Sequence, residues 1–390
     1  MKENTRKSIE ACASHYGANA EAMKQYLIEG EQKALSLNNR GPIKFDENGD
    51  LAEEIREAYS QFGFYVFEQA LSSDELADLK ADLADMREKF PSKNGALENS
   101  KGEPALGVGY KAPNLIWAKP LGDPLGGTAI ANGRHQVKLF EPKPAADAPE
   151  ESVFVMLGSL QFSDACLRTY GHPELLKVAA AINGDDFAPF HESLFIKDPG
   201  LGAAVSWHQD GGTHWDSASF DENIHGFNFM AQVYGSTPVN GVWVVPGTHK
   251  QGKLDIKKLV EEAGSERLLG AVPIVCDAGD VVMCNRQIVH GSFANTGYEP
   301  RVTVNFGFHR RSSVLNVEGA GMHCAVMTYD NEVIRERSKL IGYAIDARKK
   351  RFVDEQPFVY QPFASSMENY QWNEKAKEGI KDYNLFDLSI

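Results

Sequence analysis

The spacing of apolar positions changes character several times along the chain. Over residues 1–60 it is helical, as in Ala20-Glu21-Ala22-Met23-Lys24-Gln25-Tyr26-Leu27-Ile28 and Leu51-Ala52-Glu53-Glu54-Ile55-Arg56-Glu57-Ala58-Tyr59, which predicts helices laid against a larger body. The aromatic run 62–67 reads as a short strand. Ser72-Ser73-Asp74-Glu75 starts a helix, because a serine N-cap and acidic first-turn residues satisfy the free amides there; Leu76, Leu79, Leu83 and Met86 give it an apolar stripe. A further helix over 172–182 stops at Asn183-Gly184, a pair suited to a C-cap.

Short β-like runs follow at 192–197, 205–210, 226–234, 241–245, 272–276, 281–285 and 302–309, separated by breakers such as Asp198-Pro199-Gly200 and Asp277-Ala278-Gly279-Asp280. Only 256–263 interrupts them as a helix. Many short strands with turn residues between them predict a mainly β fold with flanking helices, a sandwich or barrel paired antiparallel. Helix returns at 331–351. The aromatic C-terminal extension, to residue 390, can cap this barrel or a neighbour's, so homo-oligomerisation stays open. Residues 91–152 are rich in glycine and proline yet carry Tyr110, Leu115, Ile116, Trp117 and Phe140. They predict a structured insertion inside one domain, either a lid over a site or a surface excursion.

Composition narrows the function. At 42% hydrophobic and 24% charged residues the chain is an ordinary soluble globular one, long enough to enclose a pocket. Its net charge of -14, from 54 acidic and 40 basic residues, argues against nucleic acid and anionic membranes and leaves a small molecule as the expected partner. There is no apolar run of about 18 residues and no secretory signal. The five cysteines, Cys12, Cys166, Cys276, Cys284 and Cys324, are scattered without a ligand-type pair. A cytoplasmic protein with free thiols is expected.

The chemistry concentrates in Val205-Ser206-Trp207-His208-Gln209-Asp210. Side chains two apart on a strand point to one face, so His208 and Asp210 can reach a common point. A neutral nitrogen and a hard oxygen suit a borderline divalent ion such as Fe(II), and a second histidine completes a two-His-one-carboxylate triad with open positions. His290, reached after an acidic glycine turn and an apolar strand, is the candidate. Arg301 opens the strand after it, and its planar fork suits a small carboxylate.

With these residues the chain resembles the phytanoyl-CoA dioxygenase family of Fe(II)/2-oxoglutarate-dependent oxygenases. The likeness runs over 62–85 and about 173–310. Its marks are Trp207-His208-Gln209-Asp210, then Asn240-Gly241-Val242-Trp243-Val244-Val245-Pro246-Gly247-Thr248-His249-Lys250, then Ala278-Gly279-Asp280, and His290-Gly291-Ser292 with Asn295 and Arg301. A bare H-x-D is a weak signal; four marks in order, with Arg301 at the family's distance from the distal histidine, are specific. The resemblance implies a double-stranded β-helix, a cupin-like jelly-roll. It implies Fe(II) on His208, Asp210 and His290, and the distal carboxylate of 2-oxoglutarate on Arg301 with Ser292 as a hydrogen-bond helper. It also implies O2 as co-reactant and hydroxylation of an unactivated C–H bond with release of succinate and CO2. Because Asp210 fills a position that halogenating relatives leave small, hydroxylation, desaturation, epoxidation or ring formation is expected over halogenation.

Further candidates surround these. Lys197 ends the strand before the metal strand and is placed near the cosubstrate; Gln209 lies between two ligands. His214 and Trp215, in a second H-x-D, are placed at the pocket mouth, and Asn228 and Gln232 share one strand face. Arg286 is a polar side chain in an apolar strand and needs a partner, which substrate or the sheet can supply. His249 reads as a turn-fixing residue. The acidic chain has no basic patch for the phosphates of a CoA thioester, which favours a natural-product intermediate or an amino-acid-like compound. Two other classes stay open: a non-redox metal-dependent isomerase or hydrolase, which needs no dicarboxylate anchor, and a catalytically silent scaffold, against which the intact ligand set argues.

Overall fold

The computed structural model describes residues 3–111, 113–210, 226–319 and 326–387. The strands of the two main sheets are β1 (Arg40–Gly41), β2 (Phe64–Phe67), β3 (Leu115–Ala118), β4 (Ser152–Leu157), β5 (Ala188–Lys197), β6 (Val205–His208), β7 (Gly226–Gln232), β8 (Trp243–Val245), β9 (Val272–Pro273), β10 (Val281–Asn285), β11 (Val289–Ser292) and β12 (Arg301–His309). They build an eight-stranded sheet ordered β1-β2-β10-β7-β12-β5-β4-β3 and a four-stranded sheet ordered β6-β11-β8-β9. All pairings in the two sheets are antiparallel except β1 with β2. From β5 onward the chain passes back and forth between the sheets, with only β8 and β9 consecutive in one: β5, β7, β10 and β12 lie in the large sheet, β6, β8, β9 and β11 in the small one. This is a jelly-roll core.

The alternation within β12 shows how the sequence places the two faces. In Arg301-Val302-Thr303-Val304-Asn305-Phe306-Gly307-Phe308, the residues Val302, Val304, Phe306 and Phe308 join the main apolar cluster, whereas Arg301, Thr303 and Asn305 line the interior cavity. β7 repeats the division, with Phe227, Phe229 and Ala231 in the cluster and Asn228 and Met230 on the cavity. Burying the outer face needs a covering layer. It comes from α3 (Glu53–Phe62), α4 (Ser73–Glu88), α5 (Asp164–Tyr170), α6 (Pro173–Asn183) and α9 (Asn331–Arg351), whose apolar residues belong to the same cluster. α4 starts with the expected capping box of Ser72 and Glu75.

A second cluster joins α1 (Glu3–Ser14) and α2 (Ala20–Leu35) to the small sheet, where Tyr26 stacks on Trp243 with ring centroids 4.5 Å apart. α7 (Ile256–Ala263) matches the expected helix; α8 (Arg311–Val314) and α10 (Glu374–Gly379) are short. Among the described residues no helix is long and apolar enough to cross a membrane.

Three local features depart from the expected pattern. The short strand β3 within 91–152 pairs with β4 and so extends the large sheet, a pairing that the spacing of apolar residues does not indicate. The metal strand stops at His208, short of 210. β10 ends at Asn285, as the expected run 281–285 does, so Arg286 lies beyond the strand and not within it; the Asn285 side chain accepts from the Gln287 amide at 2.9 Å, and β11 restarts in the other sheet. This Asx-type turn moves the chain from one sheet to the other.

Candidate metal centre

β6 and β11 pair so that His208 and His290 are direct register partners. Their rings lie 4.1 Å apart, centroid to centroid. His208 Nδ1 donates to Ser206 O at 2.8 Å and His290 Nδ1 donates to Ile288 O at 2.9 Å. Because a carbonyl only accepts, both protons sit on Nδ1 and both Nε2 lone pairs point onward. They converge on Asp210, whose Oδ1 is 3.5 Å from His208 Nε2 and whose Oδ2 is 3.8 Å from His290 Nε2. The three donor atoms fall within 4.8 Å of one another. Asp210 lies just past β6 and is tied down by its own amide, which donates to Arg286 O at 2.9 Å.

Electrostatics keep His290 and Asp210 in ligand form. Burial pushes His290 down to about 4, assisted by His208 and opposed by Asp210, so its imidazole is neutral. Burial alone would raise Asp210, but Arg134, His208, His290 and Arg286 outweigh it and hold the carboxyl well below its usual range. Two imidazole nitrogens and one carboxylate, open on one side to a cavity, fit a divalent iron ion.

That cavity measures about 430 Å³. Arg301 lines it, fully buried, and burial lowers its guanidinium to about 10. It donates from Nε to Thr303 Oγ1 at 3.0 Å and from Nη1 to Asn240 O at 3.4 Å, and meets no carboxylate among the described residues. Thr303 in turn donates to Gln232 Oε1 at 3.0 Å, so Gln232 stands behind the arginine and does not line the cavity. Ser292 lines the cavity and accepts from Lys197 Nζ at 2.9 Å; Lys197 also donates to Phe293 O. Lys197 therefore acts from behind Ser292, with burial and then Arg301 holding its ammonium well below its ordinary pKa.

Asn228 and Arg286 both line the cavity and bond to one another. Gln209 turns the other way: it donates to Gly252 O at 3.0 Å and Gln287 O at 2.6 Å and accepts from the Leu254 amide, which fastens the segment before α7. His214 and Trp215 lie outside the described residues. His249 occupies a short 3-10 turn after β8, with Nε2 3.1 Å from Ser60 O.

The insertion supplies two residues that sequence reasoning missed. Arg134 places Nη2 3.5 Å from Asp210 Oδ1. His135 packs on His208 with centroids 4.1 Å apart, and its Nδ1 lies 3.2 Å from both Ser206 O and Ser206 Oγ. Burial, with His208 and Arg134, keeps this imidazole neutral. The only signal in the sequence is a polar Arg134-His135 pair within a glycine-rich segment that also carries apolar residues; no spacing links it to the ligands.

A family-wide sequence profile for phytanoyl-CoA dioxygenase (PhyH) matches residues 59–303, more than half of the chain. The chain belongs to the phytanoyl-CoA dioxygenase family. All three triad residues and Arg301 fall within the matched segment. No curated protein matches the sequence significantly. Among solved structures the family member is similar to EctD from S. alaskensis, crystallised with 2-oxoglutarate and 5-hydroxyectoine (19% identity, 71% of this chain and 82% of that one, TM-score 0.49). It is also similar to AviO1 from Streptomyces viridochromogenes Tue57 (20% identity, 65% and 92%, TM-score 0.43). A third likeness is to EvdMO1 (20% identity, 65% of this chain, TM-score 0.45), of which the chain spans about half, 49%. The family match, not these partial overlaps, establishes the kinship.

Proposed function

We propose that this chain is an iron(II)- and 2-oxoglutarate-dependent oxygenase that hydroxylates an unactivated C–H bond of a small molecule in the cytoplasm. The observation that carries the reading is the convergence of His208, Asp210 and His290 on one wall of a cavity that Arg301 also lines. Bound iron(II) and 2-oxoglutarate supply activation of O2, with succinate and CO2 as coproducts.

The chain's own residues do the rest. His208, Asp210 and His290 would hold the ion from one wall of the cavity. Arg301 has its Nε committed to Thr303, and the remainder of its fork suits the distal carboxylate of the cosubstrate, with the Ser292 hydroxyl, held by Lys197, as a neighbouring partner. The two Nδ1–H bonds to backbone carbonyls fix both imidazole planes before any ligand arrives, so little reorganisation is needed on binding. Mostly apolar walls exclude water from the reacting carbon. A non-redox hydrolase would have no use for a buried guanidinium lacking a carboxylate partner among the described residues. The free, buried Cys12, Cys166, Cys276 and Cys284 suit a reducing compartment.

The test is succinate formation from 2-oxoglutarate by aerobic, iron(II)-loaded protein without added substrate, a side reaction this chemistry permits. Slow succinate release that stops in Asp210→Ala supports the reading; release unaffected by that substitution, or none at all, contradicts it.

A further inference from the structure

Besides Arg301 and Arg134, a third guanidinium lines the cavity, and among the described residues it is only partly satisfied. Arg286 follows β10, is 1% exposed, and lines the cavity. Its planar group lies over the Phe190 ring, Cζ 3.9 Å from the centroid, and Nη1 donates to Asn228 Oδ1 at 3.2 Å. Nε and Nη2, which share one edge of the fork, are buried and meet no hydrogen-bond acceptor among the described residues. Asp210, the carboxylate lining the same cavity, makes no direct side-chain hydrogen bond to Arg286: it reaches the guanidinium through Asn228, whose Nδ2 is 3.5 Å from Oδ2, and acts on it as a nearby charge, while it is itself paired with Arg134 at 3.5 Å. The backbone makes room for this arrangement: a Cβ on Gly307 would lie 2.6 Å from Asn228 Oδ1 and 3.5 Å from Arg286 Nη1.

Two buried N–H groups of a charged side chain left without acceptors are costly unless something else satisfies them. Their shared edge matches a carboxylate in bidentate geometry. Arg301 is a separate anchor: the backbone opposite Asn228 is Gly307, roughly 20 Å along β12 from Arg301. The apolar part of the wall comes from Ile116, Trp117, Leu125, Phe154, Phe195 and Met230, beside polar His191, Asn285 and Asn305. The volume of about 430 Å³ lies toward the small end of ligand pockets, and a cosubstrate must share it.

We propose that the substrate is a small carboxylic acid with an apolar body, held through its carboxylate by the Nε/Nη2 edge of Arg286. The proposal rests on the oxygenase reading for what happens to the acid, and on Arg286 alone for its binding.

The experiment is calorimetric titration of the full chain, held anaerobically with iron(II) and saturating 2-oxoglutarate, using matched pairs: hexanoate with hexanamide, 3-phenylpropanoate with 3-phenylpropanamide, and phenyl phosphate as the alternative anion. At least one acid is expected to bind about tenfold or more tightly than its amide. Arg286→Gln should erase that preference, and Arg286→Lys should retain part of it. Acid and amide binding within about twofold in every pair, no acid binding, a preference that survives Arg286→Gln, or selection of phenyl phosphate over the acids would each overturn the proposal. Failure of 2-oxoglutarate to bind counts instead against the oxygenase reading. The acid–amide ratio measured in an Arg301→Ala background then still decides the role of Arg286, and the ratio in the parent needs no variant to fold.

Discussion

His208 and His290 sit directly opposite one another on paired antiparallel strands, and each hands its Nδ1 proton to the carbonyl two residues before it in sequence. The metal face is thus built from a repeated local device on two strands. Replacing His290 by Ala should weaken iron(II) affinity by more than the roughly 10–100-fold typical of losing only a supporting partner. The metal-free protein should unfold within a few degrees of the parent. Metal titration and thermal unfolding check both parts.

Thr303 connects Gln232 to Arg301, accepting from one and donating to the other. Thr303→Val keeps the shape and removes both bonds. Losing a bond to a charged group costs about 1.5–3 kcal/mol, so the KM for 2-oxoglutarate should rise roughly tenfold or more while iron(II) affinity holds. Steady-state succinate assays and metal titration separate the two effects.

Gly307 has no space for a methyl group beside Asn228. Gly307→Ala should cost about 1–3 kcal/mol of stability, the usual penalty for overpacking, measured by urea unfolding. It should also loosen any ligand held by Arg286. Gly379→Ala is the control, because the added methyl would meet nothing within 4 Å there, and it should leave ligand binding unchanged.

His172 caps α6, its side chain accepting from the Leu175 amide, and burial together with Arg348 pushes its imidazole down to about 4 from an ordinary 6.5. Between those values the unfolded chain binds a proton that the folded chain refuses, so stability falls as pH drops below 6.5 and the loss is complete below about 4. The contribution is about 2–3 kcal/mol between pH 7 and 4.5. His172→Asn keeps an N-cap acceptor and should shrink the acid-induced loss by that amount in urea titrations at the two pH values.

The parts of this molecule visible in the sequence are those written in local spacing. Val302, Val304, Phe306 and Phe308 alternate with Arg301, Thr303 and Asn305, which identifies β12 and both of its faces. His208 and Asp210 stand two apart, which identifies half of the metal face. The sheet switch between Asn285 and Val289 was not visible, because Ile288-Val289 continues the apolar run and only the Asn285 side-chain bond reveals the turn. Arg134 and His135 reach the site from a segment about 70 residues away in sequence, across a contact that no periodicity encodes. Gln209 and Gln232 were legible as polar residues near the ligands, but which way each side chain turns depends on distant carbonyls and hydroxyls.

The central claim is that one cavity binds iron(II) on His208, Asp210 and His290 and 2-oxoglutarate on Arg301. Anaerobic titration with iron(II) and then 2-oxoglutarate, followed by visible absorption, tests it directly. A weak charge-transfer band should appear in the parent, vanish in His290→Ala, and require far more 2-oxoglutarate in Arg301→Ala. No band in folded, iron-loaded parent protein would contradict the account.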